Sequence, residues 1–252
     1  MGSAVTSSYR RRPIDSGVAA ENGSSDRLAQ LLVRTDCQRA DSLEQRQAIF
    51  RLRHQAYLRE GAIEPNPSGM FTDPFDEIGN VFTFGLHVDG ELAGALRLHI
   101  ASREHPEFPT LHVFPDILQP EIDAGKVIID STRFVADDNL ARVHRGLPYI
   151  VLRLTMLAAE YFHADHLLAA VRPEHQAFYR RAFNHQLICG ARPYPLLAKP
   201  ICLMTLDFPT AAEDLYRRYP FFHSTVAERQ KLFERSPARG LMNGTDRRQS
   251  GG

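Results

Sequence analysis

Two cations, a glycine and a proline stand together just before a helical pattern, in Arg142-Val143-His144-Arg145-Gly146-Leu147-Pro148. Pro148 suits a first helical turn, where no backbone N–H is needed. A helix N-terminus presents free N–H groups and partial positive charge, so it attracts phosphates. Gly146 permits close approach of the backbone, and Arg142 and Arg145 add cationic donors. The segment therefore predicts an anion site, and a surface arginine pair on a plain βαβα unit is the alternative.

Charged residues in the first half of the chain stand where opposite signs can meet. Arg53 and Tyr57 lie four residues apart in a helical pattern and share a face. Asp73 and Asp76 lie three apart in a loop rich in Pro and Gly, and Arg97 lies in a strand pattern. We expect the two arginines to bond the two aspartates and to hold this loop shut. The same residues are candidates for binding an acceptor substrate.

A further acidic and basic pair lies in a β-branched, apolar strand pattern. Asp130 and Arg133 are three residues apart in Asp130-Ser131-Thr132-Arg133-Phe134. A carboxylate at Asp130 can accept a proton from an attacking amine, or it can cap the strand end or pair with Arg133. Tyr179, in a later helical pattern, is either a proton donor or a packing residue.

These residues need an ordered set of elements to bring them together. The sequence predicts one mixed sheet with helices around it, an α/β class, and the hairpin turn at Asp89-Gly90 is its strongest local signal. The predicted elements are a helix over Ser42–Glu60 with a Ser42/Gln45 capping box, a loop over Gly61–Asn80, strands over Val81–Val88 and Glu91–Ile100, an irregular stretch over Ala101–Pro120, a strand from Val127 to Val135, a helix from Pro148, a strand over Leu167–Val171, the Tyr179 helix, a strand over Pro200–Phe208, and helices over Ala211–Tyr219 and Ser224–Glu234.

Composition narrows the classes of protein. The 252 residues have a formal net charge of zero, so no overall field favours nucleic acid. Three widely spaced cysteines favour a reducing cytoplasm, and no run is apolar and long enough to span a membrane. Residues 1–26 and 237–252 are predicted to be disordered, which leaves one domain over 27–236. No spacing indicates a metal site.

The order of strand, turn, helix, strand and Tyr helix after Val127 resembles the donor half of the GNAT acyltransferases. The front half sharpens this resemblance, because Arg53-x-x-x-Tyr57, Asp73-x-x-Asp76, Arg97-Leu98 and Asp130-x-x-Arg133-Phe134 follow in order. This set is similar to the autoinducer-synthase branch of that superfamily. The branch typically shows Phe, Trp and Glu where Tyr57, Ile63 and Asp130 stand, and this chain has no Trp. These departures favour the related long-chain N-acyl amino acid synthases.

The resemblance implies a GNAT-type mixed sheet with extra C-terminal helices. It also implies that the acyl thioester binds as a substrate and that no cofactor is bound permanently. The donor would be an acyl-phosphopantetheine thioester on acyl carrier protein or CoA, held by Arg142, Arg145, Gly146 and Leu147. Asp130, Arg133, Phe134 and Tyr179 would serve catalysis, with Asp130 taking the amine proton, a backbone N–H near Phe134 stabilising the oxyanion, and Tyr179 protonating the thiolate. Arg53, Tyr57, Asp73, Asp76 and Arg97 would bind the small amine acceptor or order its loop.

The partner implied for the donor step is an acyl carrier protein. Carrier proteins are acidic, and an arginine cluster would attract one even at zero net charge. The cluster consists of Arg142, Arg145, Arg153, Arg180 and Arg181.

The sequence leaves several functions open. The first is acyl transfer from a carrier-protein thioester to the α-amine of an amino acid. The second is an acyl-homoserine-lactone synthase, whose acceptor is S-adenosylmethionine. The third is a GNAT-fold protein that binds a ligand or partner without catalysis, and the fourth is an acetyl-CoA N-acetyltransferase. The fold alone does not decide among these functions.

Overall fold

One seven-stranded mixed sheet organises the chain, whose computed structural model describes residues 26–194 and 197–235. Its strand order is β1-β2-β3-β4-β5-β7-β6, and only β4 and β5 run parallel. The strands are β1 (Thr35–Arg39), β2 (Val81–Val88), β3 (Glu91–Ala101), β4 (Ile128–Ala136), β5 (His166–Val171), β6 (Gln186–Arg192) and β7 (Ile201–Asp207).

Eight helices flank the sheet within the described ranges. α5 is the crossover that a parallel pair such as β4 and β5 requires, and its buried apolar face covers the sheet. The helices are α1 (26–33), α2 (Leu43–Arg59), α3 (Pro115–Asp123), α4 (Asp138–Val143), α5 (Leu147–Phe162), α6 (Gln176–Phe183), α7 (Phe208–Arg218) and α8 (Val226–Phe233).

Alternate residues of β4 face different layers, as the period of a strand requires. Ile129 lies in the main core beneath α5, whereas Ile128 packs in a second cluster on the other face. Val135 packs against α2 in a third cluster. Asp130 has the parity of Ile128 and therefore lies on the face away from α5.

Local signals in the sequence account for the elements that form the front of the molecule. Ser42 and Gln45 form the expected capping box at the start of α2. Asp89 and Gly90 adopt positive φ values of 50° and 90° in the predicted hairpin turn. The loop between α2 and β2 contains only a short 3-10 turn over Pro74–Asp76.

Five of the helices and strands were not predicted from the sequence: α1, α3, α4, β1 and β6. β1 and β6 are the two edge strands, and the stretch expected to be irregular over Ala101–Pro120 contains a 3-10 turn at Pro109–His112 and the start of α3. α4 precedes the Gly146 turn and is capped by Asp137. The tails predicted at 1–26 and 237–252 fall outside the described residues except for residue 26, which begins α1.

Candidate active site

Two aspartates of the front loop meet two buried arginines, as their charges predict. Arg97 Nη1 and Nη2 donate to Asp73 Oδ1 and Oδ2 at 2.6 and 3.1 Å. Arg53 Nη1 donates to Asp76 Oδ1 at 2.7 Å, and Arg97 Nη1 lies 2.8 Å from the same oxygen. All four side chains are almost completely buried, so the loop is fastened onto α2 and β3.

The same carboxylates also shape the loop locally. Asp73 caps the 3-10 turn by accepting a hydrogen bond from the Phe75 N–H at 3.0 Å. Asp76 Oδ2 accepts from the Asp73 N–H, also at 3.0 Å. Each carboxylate therefore accepts one hydrogen bond from a backbone N–H of the turn and also accepts hydrogen bonds from arginine.

Electrostatics in this cluster favours ionised carboxylates. Burial opposes ionisation of Asp73, but hydrogen bonds and charge from Arg97 and Arg133 outweigh it and lower its pKa to about 2. Burial of Asp76 is likewise outweighed by Arg53 and Arg97, and its pKa is lowered. The closed loop is therefore stable at neutral pH.

Arg133 is held at a β-bulge in surroundings rich in aromatic rings. Arg133 and its successor oppose a single residue of β3, and Arg133 has a positive φ of 55°. Its Nε donates to Asp73 Oδ2 at 3.1 Å, and Nη2 contacts the Tyr194 hydroxyl at 3.4 Å. The guanidinium lies 4.8, 5.5 and 5.8 Å from the ring centroids of Phe71, Tyr194 and Tyr57. This is a desolvated cation over π faces.

Asp130 is completely buried and accepts two hydrogen bonds from one residue. Thr110 Oγ1 donates to Oδ1 at 2.7 Å, and the Thr110 N–H donates to Oδ2 at 3.3 Å. Burial raises the pKa of Asp130 to about 6, although the Thr110 hydrogen bonds oppose that shift. A carboxyl with a pKa near neutrality is suited to accept a proton in catalysis.

His99 lies opposite Asp130 in the β3–β4 register. Its Nε2 is 3.0 Å from the Phe75 carbonyl oxygen, which identifies Nε2 as the protonated nitrogen because a carbonyl can only accept. Burial and the charge of Arg97 lower the pKa of His99 to about 3, so the ring is neutral. Its Nδ1 is a buried acceptor with no hydrogen-bond partner among the described residues.

The sheet opens between β4 and β5 beside this cluster. The two strands pair only as far as Ser131 and Ala169, while β4 continues to Ala136. Backbone groups of β4 beyond Ser131 therefore have no ladder partner on the β5 side. Phe134 lies in this stretch and packs against the main core, and the oxyanion role of its backbone N–H stays a prediction.

The predicted donor turn has different surroundings. An ideal Cβ on Gly146 would lie 2.5 Å from Leu28 Cδ2, so α1 packs directly on this turn. The Leu147 N–H donates to the His144 carbonyl at 2.9 Å, and the Tyr149 N–H donates to Gly146 at 3.0 Å. First-turn amides are thus engaged internally, and Gly146 is explained by contact with Leu28. Phosphate binding here stays a prediction.

The other donor-side residues separate into exposed and buried sets. Arg142 is 74% exposed and pairs with Asp138 at 2.7 Å, and Arg145 is also exposed, whereas Leu147 is completely buried core. Arg153, which the sequence grouped with the basic face, is instead buried. It bonds Glu228 and the backbone around α8 because its position on α5 faces the core.

Tyr179 packs in an aromatic cluster on α6. Its ring contacts Phe178, Phe183 and His185 at centroid distances of 5.3, 6.3 and 5.6 Å. Burial raises its pKa, so the hydroxyl keeps its proton. This state is required of a proton donor and is equally compatible with packing, and the catalytic role stays a prediction.

The sequence did not single out four residues of this site. Thr110 and Tyr194 approach the cluster from segments distant in the chain, whereas Phe71 and His99 lie two residues from Asp73 and Arg97. None of the four belongs to a spaced charge pair. The one available signal was the polar Thr and His within otherwise apolar stretches, Phe108-Pro109-Thr110 and Leu98-His99-Ile100.

No three His, Cys, Asp or Glu side chains converge as a metal site in the parts of the chain that the structure describes. In those same parts no helix is both long enough and apolar enough to cross a membrane.

Known structures share this fold. FeeM, an N-acyl amino acid synthase from uncultured soil microbes, aligns with a TM-score of 0.62 at 18% identity over 76% of this chain and 99% of its own. TofI, solved with an inhibitor and MTA, aligns at 0.55, 15% identity, 75% of this chain and 100% of its own. The AHL synthase LasI aligns at 0.53, 13% identity, 68% of this chain and 88% of its own. Among curated proteins none matches the chain.

The mixed sheet, its opening between β4 and β5 and these neighbours define the GNAT fold. The model of the family "N-acyl amino acid synthase FeeM" matches residues 48–207, more than half of the chain. The chain therefore belongs to this family, in the same branch of the fold as the autoinducer synthases, as the sequence pattern predicted.

Proposed function

We propose that this N-acyltransferase moves a long acyl chain from an acyl carrier protein thioester to the α-amine of an amino acid. The observation that carries the proposal is a mismatch of polar groups in the buried cluster. Arg53 Nε and Nη2 are donors without partners among the described residues, and His99 Nδ1 is an acceptor without one. Unpaired buried groups are costly, and an amino acid brings a carboxylate and an amine that complement them.

The charge balance supports the same acceptor. Arg53, Arg97 and Arg133 are buried together with Asp73 and Asp76, which leaves one positive charge uncompensated. Asp130 cancels that charge only while it is ionised. When Asp130 takes a proton during the reaction, an acceptor carboxylate would keep the cluster neutral, and buried charges are stable only when paired.

The proposed reaction uses these groups in sequence. The neutral amine attacks the thioester carbonyl, so a C–N bond forms and the C–S bond then breaks. Asp130 accepts the proton that leaves the nitrogen. A backbone N–H near Phe134 stabilises the tetrahedral oxyanion, and the thiolate takes a proton from Tyr179 or from solvent. Phosphopantetheine leaves as the thiol, and no permanent cofactor is consumed.

The proposal is tested with matched amines. Purified protein is given long-chain acyl carrier protein together with each amino acid and with its decarboxylated amine, and the products are identified by mass spectrometry. We expect N-acyl amino acids, with the decarboxylated amines acylated far more slowly. Equal rates for the two members of a pair would contradict the carboxylate argument. A lactone formed from S-adenosylmethionine would assign the chain to homoserine-lactone synthesis instead.

A further inference from the structure

Thr110 gives both of its hydrogen-bond donors to one carboxylate. The hydroxyl bonds Asp130 Oδ1 at 2.7 Å and the backbone N–H bonds Oδ2 at 3.3 Å. Thr110 is 1% exposed and lies in the 3-10 turn Pro109–His112, whose first residue is a proline that fixes the backbone. Thr110 is also the one described residue that hydrogen-bonds the Asp130 carboxylate, so it sets the orientation of that group.

The other charged and titratable groups near Asp130 act on it without direct bonds. Arg97 on β3 and Arg133 on β4 attract its negative charge, but their hydrogen bonds go to the front loop, Thr132 and the Tyr194 hydroxyl. His99 is neutral and donates to the loop backbone. Tyr194 follows β6 in the chain. Burial raises its pKa, and the negative charge of Asp130 acts in the same direction.

We propose that Thr110 is a positioning residue that fixes the Asp130 carboxylate and stabilises its ionised form, which leaves the remaining lone pairs for the acceptor amine. The inference rests on the proposed function, because Asp130 is the proton acceptor there. Thr110 belongs to none of the spaced sequence motifs, yet in this proposal it controls the proton transfer through Asp130. A hydrogen bond to an ionised group is about twice as strong as a neutral one, so the hydroxyl favours the carboxylate over the carboxylic acid.

The test compares Thr110→Val with Thr110→Ser. Valine replaces the hydroxyl by a methyl group of similar shape, whereas serine retains the donor. Without the hydroxyl, the carboxylate loses stabilisation and the pKa of Asp130 rises. We expect the acid limb of the kcat profile to move to higher pH by about one unit in Thr110→Val. Thr110→Ser should reproduce the wild-type profile. The ionisation of the free amine is common to all three proteins and cannot cause the difference.

A second readout keeps the proposal independent of the assay. The side-chain carboxyl ¹³C resonance of Asp130 is assigned by its loss in Asp130→Asn and titrated in each folded variant. We expect a higher midpoint in Thr110→Val than in wild type and Thr110→Ser. Coincident titration curves in the three proteins would overturn the role of Thr110. If the curves differ but wild-type protein acylates no amino acid, the Thr110–Asp130 coupling stands and the proposed function fails.

A structural role alone gives a different pattern. Thr110→Val would then lower kcat by the same factor at every pH, with an unchanged profile, and that result would also overturn the proposal. Thermal unfolding of all three proteins identifies a variant that fails to fold. In that case Thr110→Ala, which also lacks the hydroxyl but adds no branched side chain, takes the place of the valine variant.

Discussion

The burial of Asp130 lowers the stability of its ionised form but gives the carboxylate a pKa suited to accepting a proton. Asp130 is completely buried, and burial raises its pKa from 3.8 to about 6. Because protonation is easier in the folded than in the unfolded state, folding favours the neutral acid. The stabilisation is full below the unfolded pKa of 3.8 and is lost as pH rises through about 6. Above that pH the protein holds a carboxylate that costs stability and is ready to accept a proton.

We therefore predict that Asp130→Asn lowers turnover by about a hundredfold or more and lowers stability far less. The amide removes a buried charge and still accepts a hydrogen bond from the Thr110 hydroxyl. Chemical unfolding of both proteins at pH 5 and pH 8 measures the free-energy difference, which should move in favour of the variant at the higher pH. Near-normal turnover in a folded variant would reassign Asp130 to strand architecture.

The sequence predicted the contacts of Arg53 and Arg97 with the two loop aspartates. It did not predict that Arg133 bonds Asp73, nor the uncharged partner of Asp130. Arg53, Arg97, Asp73 and Asp76 were predictable because buried charges need opposite charges, and their pairing is observed. Thr110 reaches Asp130 across a separation of 20 residues through a hydroxyl that could bond many acceptors. No local pattern encodes such a contact, since it exists only after the sheet and the preceding turn are in place.

The order of the front loop depends on five buried charges, those of Asp73, Asp76, Arg53, Arg97 and Arg133. The 3-10 turn of the loop is built from the same aspartates that the arginines bond. For Asp73, whose pKa is lowered to about 2, the contribution to stability is present above the unfolded value of 3.8. It is lost as pH falls from there through about 2, so acidification should release the loop.

We predict that Asp76→Ala loosens the loop and raises thioester hydrolysis relative to amide formation. The substitution leaves Arg53 buried without its bonded partner, a change that typically costs about 3–5 kcal/mol. An opened loop would also admit water to the thioester. Hydrogen exchange across residues 61–80 and the ratio of free acid to amide are the measurements.

The adjacent Glu77→Ala is the matched control for that experiment. Glu77 pairs with Arg46, but its side chain is 68% exposed, and exposed pairs contribute little. We expect nearly wild-type exchange and product ratio. Equal behaviour of the two variants would mean that the buried ion pairs do not close the loop.

Elements with strong local signals were predictable, and elements that depend on neighbours were not. α2 has a capping box, and the β2–β3 hairpin has Asp89-Gly90 at its turn. β1 and β6 are short edge strands, and β6 is mostly exposed, so neither shows a long apolar alternation. α3 contains Pro115 in its first turn and Pro120 inside it. Because prolines usually interrupt helices, this stretch was predicted to be irregular.

At the scale of the molecule, a chain of zero net charge can still attract an acidic partner through exposed arginines. Arg142 and Arg145 near the Gly146 turn and Arg180 and Arg181 on α6 are exposed. We predict that Arg180→Glu with Arg181→Glu raises KM for an acyl carrier protein and changes KM for acyl-CoA of equal chain length much less. Carrier proteins are acidic, so steering should also weaken with salt.

Arg51→Glu is the control for a charge reversal placed elsewhere on the surface, since Arg51 is an exposed arginine on α2. It should leave both donors unaffected. Equal loss for carrier protein and CoA in the α6 double variant, or the same loss in Arg51→Glu, would remove these two arginines from carrier recognition.

The central claim is tested most directly by measuring both products of the reaction, the released thiol and the amide. Protein is mixed with a long-chain acyl carrier protein and an amino acid, and the thiol released and the amide formed are quantified together. The account predicts one N-acyl amino acid for each thiol, with much slower turnover of acetyl-CoA. Thiol release without amide, or equally fast amide formation from acetyl-CoA, would contradict long-chain acyl transfer to an amino acid.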